Sequence, residues 1–156
     1  MTDADYMKLA LDACRRGVEA GQSPFGACIV HEGKVLAASH NKVWLTTDPS
    51  AHGEVQTIRE ACKAANTIFL AGATIYSTTE PCPMCFSAIH WSRITRIVYG
   101  ASIADAQRFG FSELAITNQQ MKDMGKSPMQ IDPDFMRDDA IELFQLWQAR
   151  KDHRTY

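Results

Sequence analysis

The sequence predicts an α/β domain: a sheet with helices on both faces and parallel pairing at its centre. Two observations carry this. Apolar stripes of helical period recur along the chain, and β-branched runs alternate with them in strand–helix–strand order between residues 74 and 99. Met7, Leu11, Cys14 and Val18 fall at helical spacing, with Gly21 as the stop. Gly26 to His31 reads as an apolar strand, Glu32-Gly33 as a tight turn and Lys34 to Ser39 as the returning strand. Val55, Ile58, Cys62 and Ala65 give the next helix a buried stripe. Thr74 to Thr79 is a central strand, Met84, Ala88 and Trp91 share one side of a third helix, and Arg96 to Tyr99 is a further strand. Asp105 to Phe111 reads as a short helix and turn, and Met129 to Ile131 as a last strand. Ala140, Phe144 and Trp147 stripe a final helix before the polar tail, residues 151–156.

The 156 residues suit one domain with a sizeable core. No apolar run reaches the ~18 residues of a membrane span. The acidic start, Met1 to Asp5, lacks a signal-peptide pattern, and five cysteines without a disulfide framework fit a reducing cytoplasm. A formal net charge of −2 leans away from a nucleic-acid substrate, whose phosphates call for a basic surface, and toward a small uncharged one.

The chemistry concentrates between His52 and Cys85. His52-Gly53-Glu54 is followed by a helical interval and then by Thr78-Thr79-Glu80-Pro81-Cys82-Pro83-Met84-Cys85. One imidazole and two thiols are three zinc donors. A structural zinc is closed by four protein ligands, whereas a catalytic one keeps a position open for water, whose pKa it lowers. Glu54, two residues from His52, is placed to handle that water's proton. Cys82 and Cys85 are three apart, so a helix starting near Pro81 puts both sulfurs on one face, and its N-terminus favours thiolate. Asp48-Pro49 reads as N-cap and first position of the helix carrying His52, so that two helix starts converge on the metal. Other readings are a thioredoxin-type dithiol and a structural zinc in a non-catalytic scaffold. The latter requires a fourth ligand, and Cys14, Cys28 and Cys62 each stand alone.

His-x-Glu followed by Pro-Cys-x-x-Cys resembles the signature of the zinc-dependent cytidine and nucleobase deaminase superfamily. The resemblance runs over nearly the whole chain. It implies a three-layer α/β/α sandwich around a mixed five-stranded sheet, one zinc per subunit held by His52, Cys82 and Cys85, and Glu54 as proton carrier. Within the superfamily the bacterial guanine deaminase branch is the most similar. The shared features are Trp91 in Ala88-Ile89-His90-Trp91-Ser92-Arg93, the stretch Ala104 to Glu113, and a terminal tyrosine, Tyr156. The Pro-Lys-x-Gly-Ala type segment of the bacterial tRNA adenosine deaminases is missing.

This resemblance implies hydrolysis of guanine to xanthine and ammonia, with Glu113 as a second catalytic carboxylate. It also implies a base held by Asn41, Trp91, Phe25 and Tyr156, a homodimer, and a tail that closes over the site of its own or the partner subunit. Two positions depart from the branch. Gly53 replaces its usual alanine, as in fungal cytosine deaminases, and would widen the pocket floor or free the local backbone. Glu113 stands where the branch has aspartate. Cytosine, isocytosine, ammeline, guanosine and tRNA adenosine therefore stand as alternative substrates.

Overall fold

The computed structural model describes residues 1–156. Seven helices and five strands follow in the order α1 (Asp3–Glu19), β1 (Gly26–His31), β2 (Lys34–His40), α2 (Val43–Thr46), α3 (Gly53–Ala65), β3 (Thr74–Thr79), α4 (Pro83–Trp91), β4 (Arg96–Ala101), α5 (Ile103–Arg108), α6 (Asn118–Gly125), β5 (Gln130–Asp132) and α7 (Arg137–Gln148). The five strands form one sheet in the order β2-β1-β3-β4-β5. β1 pairs antiparallel with both β2 and β3, whereas β3–β4 and β4–β5 are parallel. The parallel pairs are joined across helices, as parallel connections require.

Strand periodicity divides the core. Cys28, Val30, Tyr76 and Val98 point to one face, where Met7, Leu11 and Cys14 of α1 and Leu143, Phe144 and Trp147 of α7 cover them. Their neighbours Ala27, Ile29, Ile75 and Ile97 point to the other face, against Ala61 of α3 and Phe86 and Ile89 of α4. The result is the three-layer sandwich.

Three expectations shift. Helix α3 buries Gly53, Glu54, Thr57 and Ala61 rather than the predicted stripe; Ile58 and Cys62 are half-buried at its edge and Ala65 is exposed. Helix α4 buries Cys85, Phe86 and Ile89, so the Met84–Ala88–Trp91 side is turned outward. Periodicity identifies an apolar face but not which of two apolar faces meets the sheet. Asp48 and Pro49 do not begin α3: Asp48 Oδ1 instead accepts from Ser50 N in a turn, and His52 is itself the N-cap.

Charge ties α1 to the neighbouring strands β4 and β5. Asp3, in the first turn of α1, takes both terminal nitrogens of Arg96 at 3.1 and 2.7 Å and the Tyr76 hydroxyl at 2.7 Å. Arg96 Nε reaches Asp132 at 2.6 Å. The Arg96 guanidinium, then the Tyr76 hydroxyl, hold the Asp3 carboxyl below its ordinary 3.8. A depressed folded-state pKa stabilises above the unfolded value and is lost as pH falls through the folded one. Asp3→Asn should therefore lower the thermal midpoint by about 2–4 °C at pH 7 for a forked but partly exposed pair. The difference from the parent chain should shrink below pH 3.8; an offset that persists at pH 2.5 would refute this.

Candidate active site

Every sequence-predicted site residue except Trp91 gathers at one rim of the sheet. Because β1 runs antiparallel to β3, its start meets the carboxyl ends of β2, β3 and β4 there, the usual place for ligands in such sheets. Phe25 precedes β1, Asn41 follows β2, and Glu80 to Cys82 follow β3.

His52 and Cys82 are the N-caps of α3 and α4, with ψ of 156° and 166°, and neither side chain caps its own helix. Pro83 occupies the first turn of α4, and Cys85 follows one turn on. Both side chains at the helix starts are thus directed away from the backbone and toward each other. His52 Nδ1 lies 3.6 Å from each of the two sulfurs, and all three donor atoms fall within 4.8 Å of one another. Zinc bonds of ~2.3 Å to sulfur and ~2.05 Å to nitrogen at the tetrahedral angle place N and S ~3.6 Å apart. The donor set fits that ion without rearrangement. Cys14, Cys28 and Cys62 lie elsewhere, unpaired, and add no fourth ligand.

Glu54, on the first turn of α3, is buried and faces the cluster. Its Oε1 is 3.3 Å from Ser77 Oγ, whose proton is committed to Thr79 O at 2.7 Å. Burial, reinforced by the Cys82 thiolate, outweighs His52 and the Cys85 side chain and pushes the Glu54 carboxyl above the ordinary range. Glu113, half-buried on the segment between α5 and α6, reaches the same cluster. Burial first, then Cys82 and Glu54, push it up to about 7. Two carboxyls displaced upward beside a three-donor cluster are the groups a proton-transfer site needs.

Asn41 is fully buried. Its Oδ1 accepts from Val43 N at 3.1 Å, which fixes the amide, and its Nδ2 donates to the Tyr156 hydroxyl at 2.6 Å. The C-terminal tail thus lies over its own chain's site. The Tyr156 ring sits 5.7 Å from that of His52 and packs edge-on against Phe111 at 5.6 Å and Trp44 at 5.9 Å, while the Arg154 guanidinium lies 3.8 Å over Trp44. Under this lid is a cavity of about 200 Å³ bounded by His52, Cys82, Phe111, Glu113 and Tyr156.

Phe25 borders the cluster, but its ring packs edge-on against Phe111 and Phe144 as a core wall. Trp91 is a correction. It is 70% exposed at the end of α4, facing Ile58, Ile68 and Phe69, and borders no part of this chain's cavity. Its helix presents Phe86 and Ile89 inward, which rotates Trp91 away. Gly53 is a second correction. A Cβ there would come within 3.0 Å of Phe25 O and 3.3 Å of Gly26 Cα. The missing methyl lets α3 approach the backbone at the start of β1. Phe111 and Trp44 went unmarked in sequence. Phe111 lay inside the Ala104–Glu113 match, but nothing local in Trp44 announces its meeting with the tail.

Fold and donors together define an open, three-donor metal centre at the rim of a mixed sheet. Residues 1–101 match the cytidine and deoxycytidylate deaminase zinc-binding region, and the chain belongs to that family. Over 114 residues it is 40% identical to the guanine deaminase of Bacillus subtilis, spanning 72% of this chain and 73% of that one. Over 96 residues it is 43% identical to the tRNA-specific adenosine deaminase of Aquifex aeolicus, or 62% of this chain and 64% of that one. The solved guanine deaminase of Nitrosomonas europaea superposes with a TM-score of 0.86 at 25% identity, covering 96% of this chain and 86% of that one. The sandwich is thus the cytidine deaminase-like fold. No helix is long and apolar enough to cross a membrane.

Proposed function

We propose that the protein hydrolyses the exocyclic amine of a free purine base, converting guanine to xanthine and ammonia. The observation that carries this is the pairing of Glu54 and Glu113 at one three-donor cluster beneath a lidded pocket. About 200 Å³ is below the 300–1,000 Å³ of sites for drug-sized ligands and suits a base without sugar or phosphate. His52, Cys82 and Cys85 would hold one zinc. When bound, zinc supplies a Lewis acid that makes water nucleophilic at neutral pH.

The remaining work falls to side chains. Glu54 takes one proton from the attacking water and delivers it to ring nitrogen, then takes the remaining proton of the added hydroxyl and, with Glu113, delivers it to the leaving amine. The C–N bond breaks with its electron pair on nitrogen, and a carbonyl replaces it. Asn41 orients the base edge, Phe25 and Phe111 wall the ring, and Tyr156 excludes water. In this closed state the Tyr156 hydroxyl occupies the Asn41 amide, so an entering base must displace it.

The similarity to tRNA-specific adenosine deaminases supports a second reading, in which the substrate is an adenosine of tRNA. The net charge of −2 and the lid over the pocket favour the free base. Ammonia release should be measured for the zinc-loaded protein on guanine, guanosine, cytosine, isocytosine, ammeline, adenine and tRNA. Release from guanine with matching xanthine is expected, lost on chelation and restored by zinc. Preference for tRNA or for a pyrimidine would overturn the guanine assignment.

Deleting Arg154 to Tyr156 should cut kcat/KM about 10²-fold through lost closure and orientation, with zinc content and thermal midpoint nearly intact. Normal turnover by the truncated chain would rule out the lid. A homodimer also belongs to this reading. Trp91 (70% exposed), Ile68 (69%) and Phe69 (54%) form an apolar surface with Ile58 and Ala88, of the kind that marks an interaction face.

A further inference from the structure

Ser23 lies on the turn that leads from α1 into β1, and it is fully buried. Its Oγ has no hydrogen-bond partner. A serine kept for a turn or a cap spends its hydroxyl on a nearby backbone group; this one does not. An unpaired buried hydroxyl destabilises the fold that carries it. It calls for a partner that the closed chain does not supply.

The surroundings locate that partner. Phe25 N donates to Ser23 O and Asn41 N donates to Phe25 O, each at 2.9 Å, so Ser23 and Asn41 are held to one short backbone stretch. Burial pushes the Tyr156 phenol up, and Asn41 and Ser23 are the side chains that pull it back; both face the same hydroxyl. Of the four buried side-chain polar atoms without a partner, two belong to residues beside Tyr156, Ser23 Oγ and Trp44 Nε1. The seated tail thus fills this position without satisfying it. Asn41 offers only a donor here, because its Oδ1 is held by Val43 N. Ser23 has a proton free to give beside it.

We propose that Ser23 is a substrate-contacting residue that helps set specificity: with Tyr156 displaced, Ser23 Oγ–H and Asn41 Nδ2–H bind two adjacent acceptors on the base. This rests on the guanine reading. Guanine carries such a pair, O6 and N7, on the side of the ring away from C2, whereas adenine sets an amino group beside N7. Two neighbouring donors therefore take O6 and N7 between them and leave C2 directed toward His52, Cys82 and Cys85.

Calorimetric binding to the zinc-loaded protein tests this with three bases that have no amine to lose. Hypoxanthine carries both O6 and N7, purine lacks O6, and 7-deazahypoxanthine lacks N7. Ser23→Ala should weaken hypoxanthine about tenfold, the loss of one hydrogen bond. It should spare whichever analogue already lacks the acceptor that Ser23 takes. Zinc content should be unchanged, and the thermal midpoint of the empty protein equal or higher, since an unpaired hydroxyl is removed. Equal weakening of all three bases, no weakening, or no binding of hypoxanthine by the parent chain overturns the contact; guanine turnover in that case leaves the deaminase reading standing. The selective loss in protein that turns over no guanine supports the contact and sinks the deaminase reading instead.

Discussion

Glu54→Gln is expected to cut guanine turnover about 10³–10⁴-fold while the protein keeps its metal and fold. General acid–base transfer by one positioned group accounts for about 10²–10⁴ in rate, and Glu54 is asked to move more than one proton. Glutamine preserves the volume of a buried residue of α3 and leaves His52, Cys82 and Cys85 untouched. Zinc content by metal analysis and an unchanged thermal midpoint separate loss of chemistry from loss of structure. A variant with zinc intact and turnover within tenfold of the parent would assign the proton transfers to another group, with Glu113 the first candidate.

The largest effect on stability is expected from Glu80→Ala. Glu80 is buried at the end of β3, and its oxygens accept the first backbone N–H of α5, at Ile103, and that of α6, at Asn118. The Asn118 side chain returns the tie by donating to Pro81 O at 2.6 Å. One carboxylate therefore caps two helices, and the segment between them carries Phe111 and Glu113. Truncation orphans two buried donors at about 1–3 kcal/mol each. The total, about 3–5 kcal/mol, corresponds to a midpoint lowered by about 10 °C in a chain of this size. Cys82 and Cys85 follow Glu80 directly and His52 begins α3, which Glu80 does not cap, whereas Glu113 lies between Ile103 and Asn118 and loses both anchors. Turnover measured well below the midpoint should fall further than zinc content does. Equal midpoints for parent and variant would show that water replaces the carboxylate.

His52, Glu54, Cys82 and Cys85 could be read from sequence because their chemistry is local: two short motifs at helix starts, each with fixed spacing. The alternation of strands and helices was legible for the same reason. Glu80 was not, since its partners lie 23 and 38 positions away. Helix α6 was missed because it lacks an apolar stripe, although Thr117 and Gln120 form a capping box that marks its start. Trp91 was misplaced because α4 is apolar on two faces, and only the sheet decides which is covered. Gly53 suggested a wider pocket, while the space it frees is taken by the backbone of Phe25 and Gly26.

Helices α3 and α4 both begin on a residue that leaves their first amide groups without a side-chain cap, because His52 and Cys82 face the metal position. Serine, threonine or aspartate there would normally hold each helix start closed. The ion would thus act as a shared clasp for two otherwise loose ends. Its removal leaves the far ends of α3 and α4 packed on the sheet and lets their first turns open together. Amide hydrogen exchange would then report one coupled opening at Gly53–Gln56 and Met84–Phe86 rather than two separate ones.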